Sequence, residues 1–287
     1  MFTLANEPQG IGRNLDNGFR LFFAGIGPAA LLLVIMIVLE AILFATMGAG
    51  FFAMIVQLQK GVMPAGGFGL FGLFMLLFTI ISMLFNNAMI AKYGAIAYEH
   101  EMSLGAAIGM GARKIIPVIL YAILYMLAMG ISALPLILVM AILQPHGALA
   151  MIVIIIGSIP PMILSLSLIL GTYLIIIDNV GIIEALKRSH NLVWGNWWRT
   201  ALYLTIIIVI MIAVMLAVQL AFGLIVGLLS NLGHEDGRMS FMLVLQVVNQ
   251  LVSMVFMPVM VALMIPYYHD LKLRKEGGDL AARIHAA

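Results

Sequence analysis

The twenty residues "ALKRSHNLVWGNWWRTALYL", Ala185 to Leu204, hold all three tryptophans of a 287-residue chain within five positions. Lys187, Arg188 and Arg199 flank the rings, and long apolar runs lie on both sides. Residues 182–194 read as a two-faced helix, with Ile182, Ile183, Leu186 and Val193 on one side and Glu184, Lys187, Arg188 and Asn191 on the other. Glu184 precedes Arg188 by four positions, the favourable order for an ion pair along a helix. Gly195 is suited to end that helix in a left-handed turn, and Asn196 to cap the next. Trp194, Trp197 and Trp198 then fall where the chain turns from the membrane plane into the bilayer, a depth that suits an apolar ring carrying an N–H. Lys187, Arg188 and Arg199 are expected to meet lipid phosphates there. The stretch predicts an interfacial helix, a hinge and the start of a membrane span.

The bulk composition agrees. Hydrophobic residues make up 64% of the chain and charged ones only 9%, with a mean hydropathy of +1.17. A soluble domain of this length needs far more charge to cover its surface. The net charge of +2 is too small to point to nucleic acid. With no cysteine, disulfides and thiolate metal sites are excluded. The first apolar run begins only after Glu7, Arg13, Asp16 and Arg20, with no small-residue cleavage site nearby, so no cleavable signal is expected. The 23 methionines read as flexible packing residues of an apolar interior.

Six membrane helices are predicted, at roughly 28–50, 68–92, 115–143, 148–177, 199–229 and 240–268. Arg13, Arg20, Lys92, Arg113, Lys114, Lys187, Arg188, Arg199, Lys272, Arg274, Lys275 and Arg283 fall on one side, and only Lys60 and Arg238 on the other. That bias places both termini in the cytoplasm. A helix ahead of the first span, with Ile11, Leu15, Phe19 and Phe22 opposite Arg13, Asp16, Asn17 and Arg20, leads into a hinge at Gly25 to Pro28. A weaker copy, with Leu104 and Ile108, precedes Arg113, Lys114 and Pro117. The expected fold is all-α: one transmembrane domain over 1–287, comprising an interfacial helix and hinge at 1–27, a six-helix region at 28–268 and a cytoplasmic tail at 269–287. Its spans form three hairpins, each preceded by an interfacial amphipathic helix.

Few residues suggest chemistry. Glu40 is the one acid inside a predicted span, twelve residues past Pro28, which is roughly 18 Å at 1.5 Å per residue and so near the midplane. A charge there is costly, so the group is expected to be protonated, paired or open to water. The candidate partners are uncharged: Asn86, Asn87, Gln219, Asn249 and Gln250. Two readings stand, a proton- or cation-coupling carboxylate and an acid hydrogen-bonded between helices. Pro160 and Pro161 remove two consecutive donors and predict a kink or break in the fourth span, with Pro135 and Pro258 as milder cases. Such breaks line substrate sites in transporters but also serve packing alone. "EHE" (Glu99 to Glu101) and "HEDG" (His234 to Gly237) lie at span ends, and consecutive residues diverge around a helix, so neither is expected to hold a metal. The glycine-rich 61–72 segment has no strand before it and no terminal lysine, so it reads as a loop rather than a phosphate cradle. No catalytic constellation, cofactor or metal is expected.

The tail "YHDLKLRKEGGDL" (Tyr268 to Leu280), together with "EALKRSHNLVWGNWWR", resembles the membrane domain found beside glycerophosphoryl diester phosphodiesterases and related stand-alone six-helix bacterial membrane proteins. The matching positions are Ala185, Leu186, Ser189, Gly195, Asn196 and Arg199, and then Tyr268, Asp270, Leu271, Arg274, Glu276, Gly277, Asp279 and Leu280. Lys272 and Gly278 depart from that pattern, where an arginine and a large apolar residue are usual. The resemblance implies a shared scaffold in a bacterial inner membrane, without catalysis, because the barrel of a phosphodiesterase needs about 250 further residues. The expected function is binding or transport of a lipid or small amphiphile. The alternative is a non-transporting scaffold that organises the inner membrane. The expected partners are membrane lipids, and a membrane-protein partner or second copy is left open.

Overall fold

Long apolar runs separated by short, more polar ones give a chain of helices in the computed structural model, which describes residues 2–59, 67–230, 253, 254 and 256–277. In order these are α1 (Ile11–Ala24), α2 (Ile26–Gln59), α3 (Gly67–Ala97), α4 (Leu104–Arg113), α5 (Ile115–Leu143), α6 (Gly147–Leu168), α7 (Gly171–Ile176), α8 (Ile182–Val193) and α9 (Trp197–Ser230). Residues 256–277 form a further helix, here α10. No strand occurs among the described residues. Among the described residues, five stretches are long and apolar enough to cross a membrane: Ile26–Met47, Gly69–Ala97, Ile115–Leu143, Gly147–Ile176 and Trp197–Leu224. They coincide with the first five predicted spans. Residues 240–252 and 255 of the sixth, 240–268, lie outside the described residues, and so does the "HEDG" cluster.

The core sits at one end of the molecule, which we call basal. It gathers Ala88 to Ala97 of α3, Val118 and Tyr121 of α5, Leu170 to Ile176, Leu192 and Val193 of α8, Tyr203 to Ile207 of α9, and Val261 to Leu271 of α10. Away from this end the helices bury little. No residue in the most apolar stretch of α5 or of α6–α7 is buried, and only 22% of that stretch is buried in α2. There α2 lies against α3 and α5 against α6.

The short helices α1, α4 and α8 each directly precede a long one, and in each the closest packing includes small residues with apolar stripe residues half-buried beside them. In α1 the buried residues are Asn14, Gly18 and Leu21, while Ile11, Leu15, Phe19 and Phe22 are half-buried beside them. A side chain at Gly18 would meet Leu263 Cα at 2.8 Å, so glycine is what lets α10 approach. Gly25, where α1 ends, likewise faces Tyr93, whose ring would lie 2.4 Å from an added Cβ. In α4 the seam is Ala107 and Gly111, set against Leu84 and Ala88 of α3. In α8 it is Ala185, Ser189, Leu192 and Val193, whereas Ile183, placed on the apolar face by the sequence, is 57% exposed.

The helix does not break at Pro160 and Pro161. Helix α6 runs through both prolines, and α5 runs through Pro135. The interruption falls at Ile169 and Leu170, before α7. Ser189 of α8 closes it: its hydroxyl donates to Ser167 O at 2.8 Å and accepts from Leu170 N at 3.2 Å. The freed backbone groups thus find a side-chain partner, which allows a helix to stop inside a packed core. Pro258 is buried in α10.

Candidate functional site

Helix α10 ends in the tail motif, and its polar residues reach nearly every other basal segment. Asp270 is 2% exposed and lies between Arg199 Nη2 at 3.1 Å and Arg274 Nε at 2.9 Å. The backbone N–H of Gln9 donates to its Oδ1 at 2.5 Å, and Gln9 O accepts from Arg199 and from Arg274. One buried carboxylate therefore joins the N-terminal segment, α9 and α10. A buried acid is tolerated when charges and hydrogen-bond donors surround it in this way.

A second knot lies one turn away. Asp178, between α7 and α8, takes Lys272 Nζ at 2.8 Å and Arg188 Nη2 at 3.4 Å, and Arg188 also holds Glu276 at 2.6 Å. Burial works against the Arg188 charge, but the hydrogen bond and charge of Glu276, with Asp178, more than offset it and raise its pKa above the ordinary value. His269 Nδ1 meets Tyr98 OH at 3.3 Å and its Nε2 meets Ala5 O at 3.1 Å. Burial lowers the His269 pKa below the usual imidazole range; Lys272 adds to the effect, and Ala5 O and Asp270 oppose it. Above this layer Tyr203 stacks on Tyr267 at 4.1 Å and donates to Leu263 O at 2.6 Å, and Thr200 Oγ1 meets Tyr267 OH at 2.8 Å.

These contacts revise the expected roles of several residues. The Glu184–Arg188 pair does not form, because Arg188 is drawn to Asp178 and Glu276. Arg188 and Arg199, expected at lipid phosphates, hold carboxylates of the chain itself, while Lys187 is exposed. Gly195 does adopt the left-handed turn, with φ +91°. Trp194 and Trp198 are 56% and 80% exposed, with Trp194 stacked on His190 and Trp198 edge-on to Trp197, which is half-buried.

Glu40 is 5% exposed, and its partner is one the sequence reading missed: Ser82 Oγ donates to Oε1 at 2.7 Å, while Oε2 has no partner. Ser82 lies one turn from Asn86 on α3, so a hydroxyl serves where the sequence pointed to an asparagine. Asn87 is fully buried and donates to Gly111 O at 3.4 Å, Asn86 is half-buried, and Gln219 is exposed. Asn249 and Gln250 lie outside the described residues. Glu40 borders none of the basal cavities formed around Tyr98 and Asp178, Asn196 and Arg274, Asn14 and His269, or Gly109 and Asn179 among the described residues. No group of three or more acids and histidines is placed to hold a metal ion among the described residues.

The two motif patches, far apart in sequence, thus meet: Arg199 with Asp270 and Arg188 with Glu276. Compared with known proteins, residues 108–271 match a family described as a domain of unknown function (DUF7847). That match covers α5 to α9 and runs to Asp270 and Leu271, so it includes Arg199 and Asp270 of the clamp but not Gln9 or Arg274. No curated protein and no solved structure matches the chain.

Proposed function

We propose that this chain, which belongs to the DUF7847 family, is a non-transporting scaffold of the membrane it occupies. Its spans offer their flanks to lipid or to partner membrane proteins, and the Asp270 clamp holds their basal ends together. The distribution of burial carries this reading. A transport path needs helices packed around an enclosed polar route, whereas the most apolar part of α5 and of α6–α7, away from the basal core, contains no buried residue. Basal packing with splayed flanks fits a body that presents surface.

In this reading α10 belongs to a sixth span, and the spans pair as three hairpins, with α1, α4 and α8 lying at the membrane surface. The membrane is the bacterial cytoplasmic one and the basal end faces the cytoplasm. The basic residues of that end support this side, as does the resemblance of the two motif patches to the phosphodiesterase-associated membrane domain. Single cysteines at Ala5 and Ala286 are expected to resist an impermeant thiol reagent in intact cells, and one at His146 to react. Labelling at either terminus reverses the orientation.

One observation favours the other reading, a carrier of lipid or small amphiphile coupled through Glu40: the Oε2 atom, buried without a partner. Vesicles containing wild type or Glu40→Gln, loaded with a pH-sensitive dye and placed under a proton or cation gradient, separate the two. The scaffold predicts no flux above that of empty vesicles for either protein. Flux in wild type that disappears in Glu40→Gln replaces the scaffold with the carrier.

A further inference from the structure

Beside the clamp lies an open cleft of about 680 Å³, bordered by Asn6, Pro8, Gly195, Asn196, Leu273, Arg274, Lys275 and Gly277. That volume falls within the range of small-molecule sites, about 300–1,000 Å³. Among the described residues that border it, the charged ones, Arg274 and Lys275, are basic. Arg274 uses Nε and Nη2 on Asp270 and Gln9, which fixes its guanidinium at the edge of the cleft. Lys275 differs: it is exposed and has no hydrogen-bond or ion-pair partner among the described residues. Its Nζ lies 3.4 Å from where a Cβ on Gly195 would stand, so the glycine turn keeps the floor of the cleft clear for the ammonium group.

The position of the cleft matters as much as its charge. Gly195 and Asn196 immediately precede Trp197, the first residue of a membrane-crossing stretch. The cleft therefore opens at the depth of lipid headgroups. Trp194 and Trp198, more than half exposed on either side of the turn, are the residue type that settles at that depth. Asn6 and Asn196 add amide donors suited to phosphate oxygens.

We propose that this cleft binds the phosphate of an anionic phospholipid from the bilayer around the chain, with Lys275 as the principal contact, Arg274 as a fixed second cation, and Asn6 and Asn196 as hydrogen-bond donors. The site is independent of the scaffold assignment, since a carrier or a scaffold could equally hold an annular lipid there. It differs from a diffuse basic surface because Lys187, exposed on α8, does not border it.

All three tryptophans of the chain lie at residues 194–198, so intrinsic fluorescence reports on the cleft without a label. The full chain is reconstituted in phosphatidylcholine vesicles, and brominated phosphatidylglycerol or brominated phosphatidylcholine is titrated in as quencher. Wild type is expected to be quenched preferentially by phosphatidylglycerol. Lys275→Ala is expected to weaken that preference about fivefold, the loss of one cation near the surface, while Lys187→Ala leaves it within twofold. Equal preference in wild type and Lys275→Ala overturns the proposal, and so does an equal loss in Lys187→Ala, which marks a diffuse charge effect. Inorganic phosphate added to the wild-type vesicles identifies the source: displacement of the lipid at millimolar phosphate replaces the headgroup with a free anion. Lys275 takes part in no ion pair of the clamp, so its removal leaves folding intact, which an unchanged denaturation midpoint verifies.

Discussion

Replacing Asp270 by asparagine tests the clamp most directly, because side-chain volume is kept and the charge is lost. Asp270 is 2% exposed, and its arginine partners Arg199 and Arg274 are 21% and 28% exposed. Hydrogen bonds to a charged group contribute about 1.5–3 kcal/mol each. Removing one partner of a buried pair costs about 3–5 kcal/mol, since the other charge is left uncompensated. Both arginines retain some contact with water, which recovers part of that cost, and the asparagine carbonyl still accepts one bond. The expected loss is about 3 kcal/mol. The control is Asp16→Asn, which removes the exposed Asp16–Arg20 pair (60% and 71% exposed) and is expected to cost about 0.5 kcal/mol or less. Denaturation by SDS in mixed micelles, followed by tryptophan fluorescence, measures both under one condition. Limited proteolysis adds a local readout: Gln9 is tied to Asp270, Arg199 and Arg274, so cleavage within residues 2–10 is expected to quicken in Asp270→Asn. A loss below about 0.5 kcal/mol, or an equal loss in Asp16→Asn, would refute the idea that this carboxylate organises the basal end.

Other perturbations follow from the same packing. Gly111→Ala drives a Cβ to 2.5 Å from Leu84 O and 3.0 Å from Ala88 N, both backbone atoms, so α3 and α4 must part at a cost of about 1–3 kcal/mol. Gly109→Ala, on the open side of the same helix, is expected to be neutral or stabilising by up to about 1 kcal/mol. The same denaturation assay ranks the pair, and a reversed order contradicts the seam. His269, its pKa lowered by burial, takes up a proton at higher pH in the unfolded chain than in the folded one. Its contribution is therefore present above the ordinary imidazole pKa of about 6.5 and is lost as pH falls through that value toward the folded one. A stability profile from about pH 5 to 7 is expected to rise in wild type and to flatten in His269→Gln; parallel profiles would remove histidine from the account.

The amino-acid sequence by itself determined the class of this protein and the place of its long helices. Run length and hydropathy are local quantities, and Ile115–Leu143 appears in the structure at the bounds read from the sequence. The left-handed turn at Gly195 was legible for the same reason, since a helix end is decided by its own few residues. Only the tertiary structure decided what the charges and short helices do. Arg199 meets Asp270 across 71 residues and Arg188 meets Glu276 across 88, whereas spacing along one helix pointed Arg188 to Glu184. The apolar stripes of α1 and α4 marked which sides avoid water, but the closest contacts fall on Gly18, Ala107 and Gly111, whose value is the absence of bulk and therefore depends on the neighbour that fills it. Ser82 and Ser189 were likewise ordinary small residues until a carboxylate and an interrupted helix stood opposite them. Local sequence fixes which backbone a segment adopts. The partner of a polar or missing side chain belongs to another segment, and only the folded chain brings the two together.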